Sequence, residues 1–259
     1  MKTAEAFTTN TSAPEAHPKP EPIASWKHFA GFLLIGCGTV FLGMLAQHRG
    51  SSSGPDTTQL ANHSAAVSIY LTAILMDWAL FYYCWVGVHR RGGNLETLSG
   101  GLRTSWAILA KDVAIVIPFW LVWEGTAWGV HWLLESGHLG AASSTVKTVD
   151  SLLPRTLLEV LLWIATSCTA GICEELVFRG YVQKQFHALA GNTATAITSQ
   201  AVIFGLFHAY QGWKNVLVIA VLGVLYGVLG QWRKNLRANI FAHAWADVWE
   251  GWLKFVVWR

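Results

Sequence analysis

Charge is what this chain has least of. Asp, Glu, Lys and Arg make up 13% of its 259 residues while 53% are hydrophobic, against about 25% charged in an ordinary soluble domain. So little charge cannot cover a water-soluble surface, and the chain reads as an integral membrane protein with no room for a sizeable soluble domain. The formal net charge is only +3, and the basic residues are scattered among loops, which leaves nucleic-acid binding without support. Cysteine is scarce as well: Cys37, Cys84, Cys168 and Cys173 all lie in apolar segments, at spacings that suit neither a zinc knuckle nor a disulfide framework, so they read as small core residues. No short apolar stretch followed by a cleavage site occurs near the amino terminus, and the first span is expected to act as the insertion signal. There is no internal repeat and no H-E-x-x-H.

What remains is a series of apolar runs. Residues 1–27 carry Pro14, Pro18, Pro20 and Pro22 among polar neighbours, a composition that predicts a disordered cytoplasmic tail. The fold class expected is all-α, a polytopic transmembrane helix bundle of about seven or eight spans. Residues 28–150 supply the amino-terminal transmembrane helices, with spans near His28 to Ala46, Ala65 to Val88 and Trp106 to Leu134, the third tilted or broken near Pro118. Residues 151–259 supply a second transmembrane core. Its first run, Pro154 to Leu189, is about 36 residues long, which predicts a steep tilt, a kink near Gly171 or a cytoplasmic extension. Spans near Thr193 to Tyr210, Trp213 to Trp232 and Leu236 to Val257 follow. Lys2, Lys19, Lys27, Arg90, Arg91, Arg103, Lys184, Arg233, Lys234 and Arg237 collect on one side if the amino terminus is cytoplasmic, so that orientation is expected, in the plasma (inner) membrane of a bacterium. Tryptophans such as Trp120, Trp123, Trp128, Trp132 and Trp258 sit near span ends and fit interfacial anchoring better than ligand stacking.

Into this apolar background residues 173–180 bring C-E-E-L-V-F-R-G. A charge at bilayer centre costs about 2.5–3.5 kcal/mol on insertion scales, so Glu174, Glu175 and Arg179 need partners or a task. Four residues apart on a helix, Glu175 and Arg179 share a face, whereas Glu174 lies about 140° from Arg179. Glu175 is therefore expected to neutralise Arg179 and Glu174 to keep its carboxylate available, unless the three simply form an ion-pair network that holds helices together. Two later spans add His208, with Phe204 one turn before it, and His243 with Asp247 on the same face. Groups capable of proton transfer on three separate spans are expected to converge in one cavity, open to the cytoplasmic side or leaflet.

In this order and spacing, E-E-x-x-x-R at Glu174 to Arg179, F-x-x-x-H at Phe204 to His208 and H-x-x-x-D at His243 to Asp247 resemble the CPBP family of CAAX prenyl proteases and bacteriocin-processing (Abi) enzymes. F-R-G-Y-V-Q, A-I-T-S-Q-A-V-I-F-G-L-F-H-A and L-G-V-L-Y-G at 222–227 add to the likeness, which covers about residues 155 to 250. It implies that residues 151–259 are a catalytic core of an intramembrane endopeptidase, a glutamic peptide hydrolase formerly described as a metalloprotease. By matching position, Glu174 is the general base to a water held jointly with His208, and His243 helps stabilise the tetrahedral oxyanion. Glu175 and Arg179 are structural or substrate-orienting. Asp247 stands where the prenyl-protein peptidases typically carry Asn, and an ionised carboxylate cannot donate to an oxyanion, so it is expected to orient and charge His243.

No cofactor is expected; if zinc is used, Glu174, His208 and His243 are its ligand set. The expected partner is a membrane-associated protein or peptide substrate, prenylated (CAAX-type) or not, cleaved near its carboxy terminus within the lipid bilayer. Two other classes stay open, a non-catalytic immunity or scaffold member of the same family and a small proton-coupled transporter.

Overall fold

A computed structural model describes residues 20–50, 59–137 and 153–257. Among these residues there are eight helices and no strand: α1 (Trp26–Gly50), α2 (Gln59–His89), the short α3 (Leu95–Ser99), α4 (Trp106–Ser136), α5 (Leu157–Ala190), α6 (Thr193–Phe207), α7 (Trp213–Arg233) and α8 (Arg237–Val257). In hydrocarbon every backbone amide must find its partner within the segment, which is why each apolar run becomes a helix. The starts are written in polar residues: Ser105, Thr156 and Asn192 cap α4, α5 and α6 with side-chain acceptors, and Glu159 completes a capping box with Thr156. Residues 1–19 of the expected tail, the loop at 51–58 and the Gly/Ser-rich connection at 138–152 lie outside the described residues.

Five helices, α1, α2, α4, α5 and α7, are long and apolar enough to cross a membrane. The two further expected spans are present as helices of another character. Helix α6 is apolar but has only 15 residues, and α8 carries Arg237, Asp247, Glu250 and Lys254 along its 21. Outward faces are greasy, with Leu34, Leu75, Trp106 and Trp128 all at least 70% exposed, as expected where the surrounding solvent is lipid.

Helix α4 runs unbroken through Pro118. The 34 residues of α5 form one rod of about 50 Å at 1.5 Å per residue, and its centre changes winding: α-helical to Glu174, π-helical over Glu175–Val182, α-helical again from Gln183. Every residue of the π segment is buried, with α2, α3, α6 and α7 around it and Asn239 and His243 of α8 bonded to Glu175. Phe178 and Tyr181 join Phe32 of α1 and Phe204 of α6 in the aromatic heart of the bundle. Helix α3 was not legible from apolar periodicity. It is a five-residue turn capped by Asn94 and closed by Gly100 at φ 71°, and Lys184 holds it by donating to the carbonyls of Thr97 and Leu98.

One end of the bundle is tied by charge. Asp112 of α4, fully buried, accepts from Arg233 at 2.6 Å and from Arg237 at 2.6 Å. Near that end Gln185 bonds both backbone groups of Ala24. Elsewhere small residues set the spacing. A Cβ on Gly205 of α6 would meet the Val216 carbonyl of α7 at 2.5 Å and Ala220 Cβ at 2.9 Å. Helix backbones cannot yield like side-chain ends, so Gly205→Val is expected to cost about 1–3 kcal/mol through overpacking, read as a lower melting temperature in detergent; an unchanged melting temperature would mean that α6 and α7 do not meet there.

Candidate functional site

The change of winding within α5 separates two adjacent glutamates. A π turn takes more than four residues, so Glu175 and Arg179 come nearly into line, and such turns occur frequently at functional sites. Arg179 Nη1 lies 2.9 Å from Glu175 Oε1, both side chains essentially unexposed. The guanidinium also donates to the Gly223 carbonyl at 3.3 Å and sits 4.4 Å from the Phe204 ring centroid and 5.0 Å from that of Tyr226. The same Glu175 oxygen accepts from His243 Nδ1 at 2.9 Å, and its other oxygen accepts from Asn239 at 3.0 Å. Glu175 is thus saturated, and a charge in low dielectric is tolerable only in such company.

Glu174, one residue earlier, turns into a cavity of about 670 Å³. Its carboxylate makes no hydrogen bond among the described residues, and its nearest charged partner is His243 Nε2 at 3.7 Å. Asp247 Oδ2 stands at the same distance from that nitrogen. The hydrogen bond that orients the His243 ring therefore comes from Glu175, where the sequence reading assigned that part to Asp247. With Nδ1–H given to Glu175, Nε2 is the atom of His243 that faces the cavity.

His208 caps the end of α6 and enters the same cavity. Its Nδ1 lies 2.8 Å from the Phe204 carbonyl. A carbonyl only accepts, so Nδ1 carries the proton and Nε2 is left as an acceptor. Phe204 packs edge-on against both imidazoles, 4.9 Å from His208 and 6.3 Å from His243 between centroids. Tyr210, just beyond α6, lies beside His208.

The residues singled out in the sequence thus fall into two groups. Glu174, Phe204, His208, His243 and Asp247 line one cavity. Glu175 and Arg179 lie beneath it as the support for His243. Among the described residues, no group of three or more His, Cys, Asp or Glu side chains is placed to hold a metal ion.

Other residues of the site carry no assignment to it in the sequence analysis. Asp77 of α2 lines the cavity, and an acidic residue in the middle of L-T-A-I-L-M-D-W-A-L was itself the signal. Asn239 stands four residues before His243 on α8, a spacing that repeats to Asp247. Trp123, Trp128, Trp163 and Trp249 wall the cavity, so part of the tryptophan content faces the site; Trp132 is 55% exposed, and Trp258 lies outside the described residues.

The cavity draws on later residues of α4, α6 and α8 and earlier residues of α5 and α7. Given the alternating chain direction, this is the half of the bundle away from Lys184, Arg233 and Arg237. The expectation of a cavity on the cytoplasmic side paired it with the basic loops; the structure puts the two at opposite ends.

Residues 156–249 match the family described as Type II CAAX prenyl endopeptidase Rce1-like. The matched stretch begins at the cap of α5 and holds Glu174, His208, His243 and Asp247, while Asp77 lies outside it. No curated protein and no solved structure matches the chain.

Proposed function

We propose that this membrane protein, whose residues 156–249 belong to the Type II CAAX prenyl endopeptidase Rce1-like family, is an intramembrane endopeptidase that hydrolyses its substrate with a glutamate-activated water. The observation that carries the reading is the contrast between neighbours: Glu175 is saturated by Arg179, His243 and Asn239, and Glu174 faces the cavity with no hydrogen bond among the described residues.

Glu174 takes a proton from water as the water oxygen attacks the scissile carbonyl carbon, and the Nε2 acceptor of His208 helps to position that water. His243 faces the developing oxyanion. To donate there, Nε2 must carry a proton while Nδ1–H stays with Glu175, and Glu174 and Asp247 are the anions at 3.7 Å that balance the resulting imidazolium. Collapse of the tetrahedral intermediate breaks the C–N bond, and the proton held on Glu174 passes to the departing amine. Asp247 in this scheme balances charge and does not donate.

A prenylated carboxy-terminal peptide and another membrane-associated segment are both substrates of the right class. If the basic end is cytoplasmic, as the Lys and Arg bias favours, the cavity lies toward the opposite face of the membrane, which favours a substrate segment that reaches that half of the bilayer.

Cleavage of a peptide panel, farnesylated CAAX peptides included, by the purified full-length protein tests the reading. Turnover is expected to survive exhaustive chelation; loss that zinc restores would reassign the water to a metal, and no cleavage of any peptide or membrane-protein substrate would remove the enzyme.

A further inference from the structure

The cavity is unbalanced in charge. Asp77, Glu124, Glu174, Asp247 and Glu250 line it from α2, α4, α5 and α8, and no Lys or Arg is among its described lining residues. Arg179, the guanidinium nearest the catalytic groups, is turned away beneath Phe204 and Tyr226 and is already matched to Glu175. Asp77 lines the cavity with no hydrogen bond or ion pair among the described residues. His243, only 7% exposed, points Nε2 into the same space without a hydrogen bond at that atom. Even a fully protonated His243 balances one of these five carboxyl groups, and His208 is held with an unprotonated nitrogen toward the cavity in the scheme above.

We propose that the cavity selects a substrate with a lysine or arginine side chain close to the scissile bond, and that Asp77 is the residue that receives it. This rests on the endopeptidase reading and names its substrate class. In a poorly solvated cavity a cation gains from each uncompensated carboxylate, and a like charge is repelled by each. The walls suit the rest of such a side chain: Trp123 and Trp163 line the cavity, and a guanidinium or a lysine stem packs well against such rings. A volume of about 670 Å³ admits a side chain with the flanking backbone. By the same argument a substrate carboxylate directly beside the scissile bond is disfavoured. Asp77 comes from α2, outside the residues that match the family, so the catalytic segment and the selecting residue belong to different parts of the chain.

The test uses full-length protein in lipid nanodiscs and matched peptides that differ only in Lys, Gln or Glu beside the scissile bond, each as carboxy-terminal acid and amide. The kcat/KM ratio of Lys to Gln peptide is expected to be about 10–100 and the Glu peptide to be worse than Gln. Asp77→Asn is expected to bring the Lys/Gln ratio to near one, mainly through KM, and Asp77→Glu to restore much of it. Binding of the fluorescently labelled peptides to Glu174→Gln protein supplies a second readout that needs no turnover. A Lys preference in binding that Asp77→Asn removes supports the cation site even if no peptide is cleaved, in which case only the endopeptidase reading fails. Equal binding and equal turnover of Lys and Gln peptides, or a preference that Asp77→Asn leaves intact, overturns the proposal.

Discussion

Replacing Glu174 with Gln is expected to reduce peptide hydrolysis by about 10²- to 10⁴-fold, the usual contribution of a positioned general base, with little change in melting temperature or elution from a sizing column. The amide keeps the shape of the side chain and loses its ability to take a proton. Folding should be indifferent because Glu174 makes no hydrogen bond among the described residues and is approached by His243 only at 3.7 Å. His208→Ala should reduce turnover as well, since it removes the acceptor that its bond to the Phe204 carbonyl leaves facing the cavity. Full activity in Glu174→Gln would end the glutamate mechanism, whatever other residue was then considered.

The neighbouring carboxylate should behave in the opposite way. Glu175→Ala is expected to destabilise the protein by about 3–5 kcal/mol, because it strands a buried guanidinium, and to silence hydrolysis by releasing His243. Glu175 is fully buried and Arg179 is 2% exposed, so no water replaces the lost partner. Pairing the change with Arg179→Met should recover much of the melting temperature without recovering activity, since the ring of His243 would still lack its acceptor at Nδ1. If Glu175→Ala melts like the parent protein, the ion pair is not buried as described.

These two glutamates also measure what the sequence could reveal. The division of labour between Glu174 and Glu175 followed from helical angles alone, and the structure pairs Glu175 with Arg179 as that geometry requires. Helix positions were legible for the same reason that membrane helices exist at all: long apolar runs leave the backbone no other option. The π winding was not legible, because it depends on how five neighbouring helices press on residues 175–182 and not on their composition. Nor was the partner of His243. Periodicity within α8 offered Asp247 at the right spacing, while the hydrogen bond comes from Glu175 on another helix, a tertiary fact that no spacing within one segment contains. Asp77 is a different matter: a lone acid in an apolar span was a visible anomaly. Tryptophans were read as interfacial from their place near span ends, but Trp163 donates to the Asp247 carbonyl at 2.7 Å and helps wall the cavity.

The clasp of Asp112 with Arg233 and Arg237 has a mechanical consequence. Pulling α4 from α7 and α8 at that end would leave three ions unpaired in lipid, whereas further along α4 and α7 meet through Leu134, Val218, Leu222 and their apolar neighbours. Separation is therefore cheapest at the far end, and the pair resembles tweezers riveted at the base. On the proposed endopeptidase function, a membrane-borne substrate would enter sideways between α4 and α7 at that far end, while the clasp holds the other end shut.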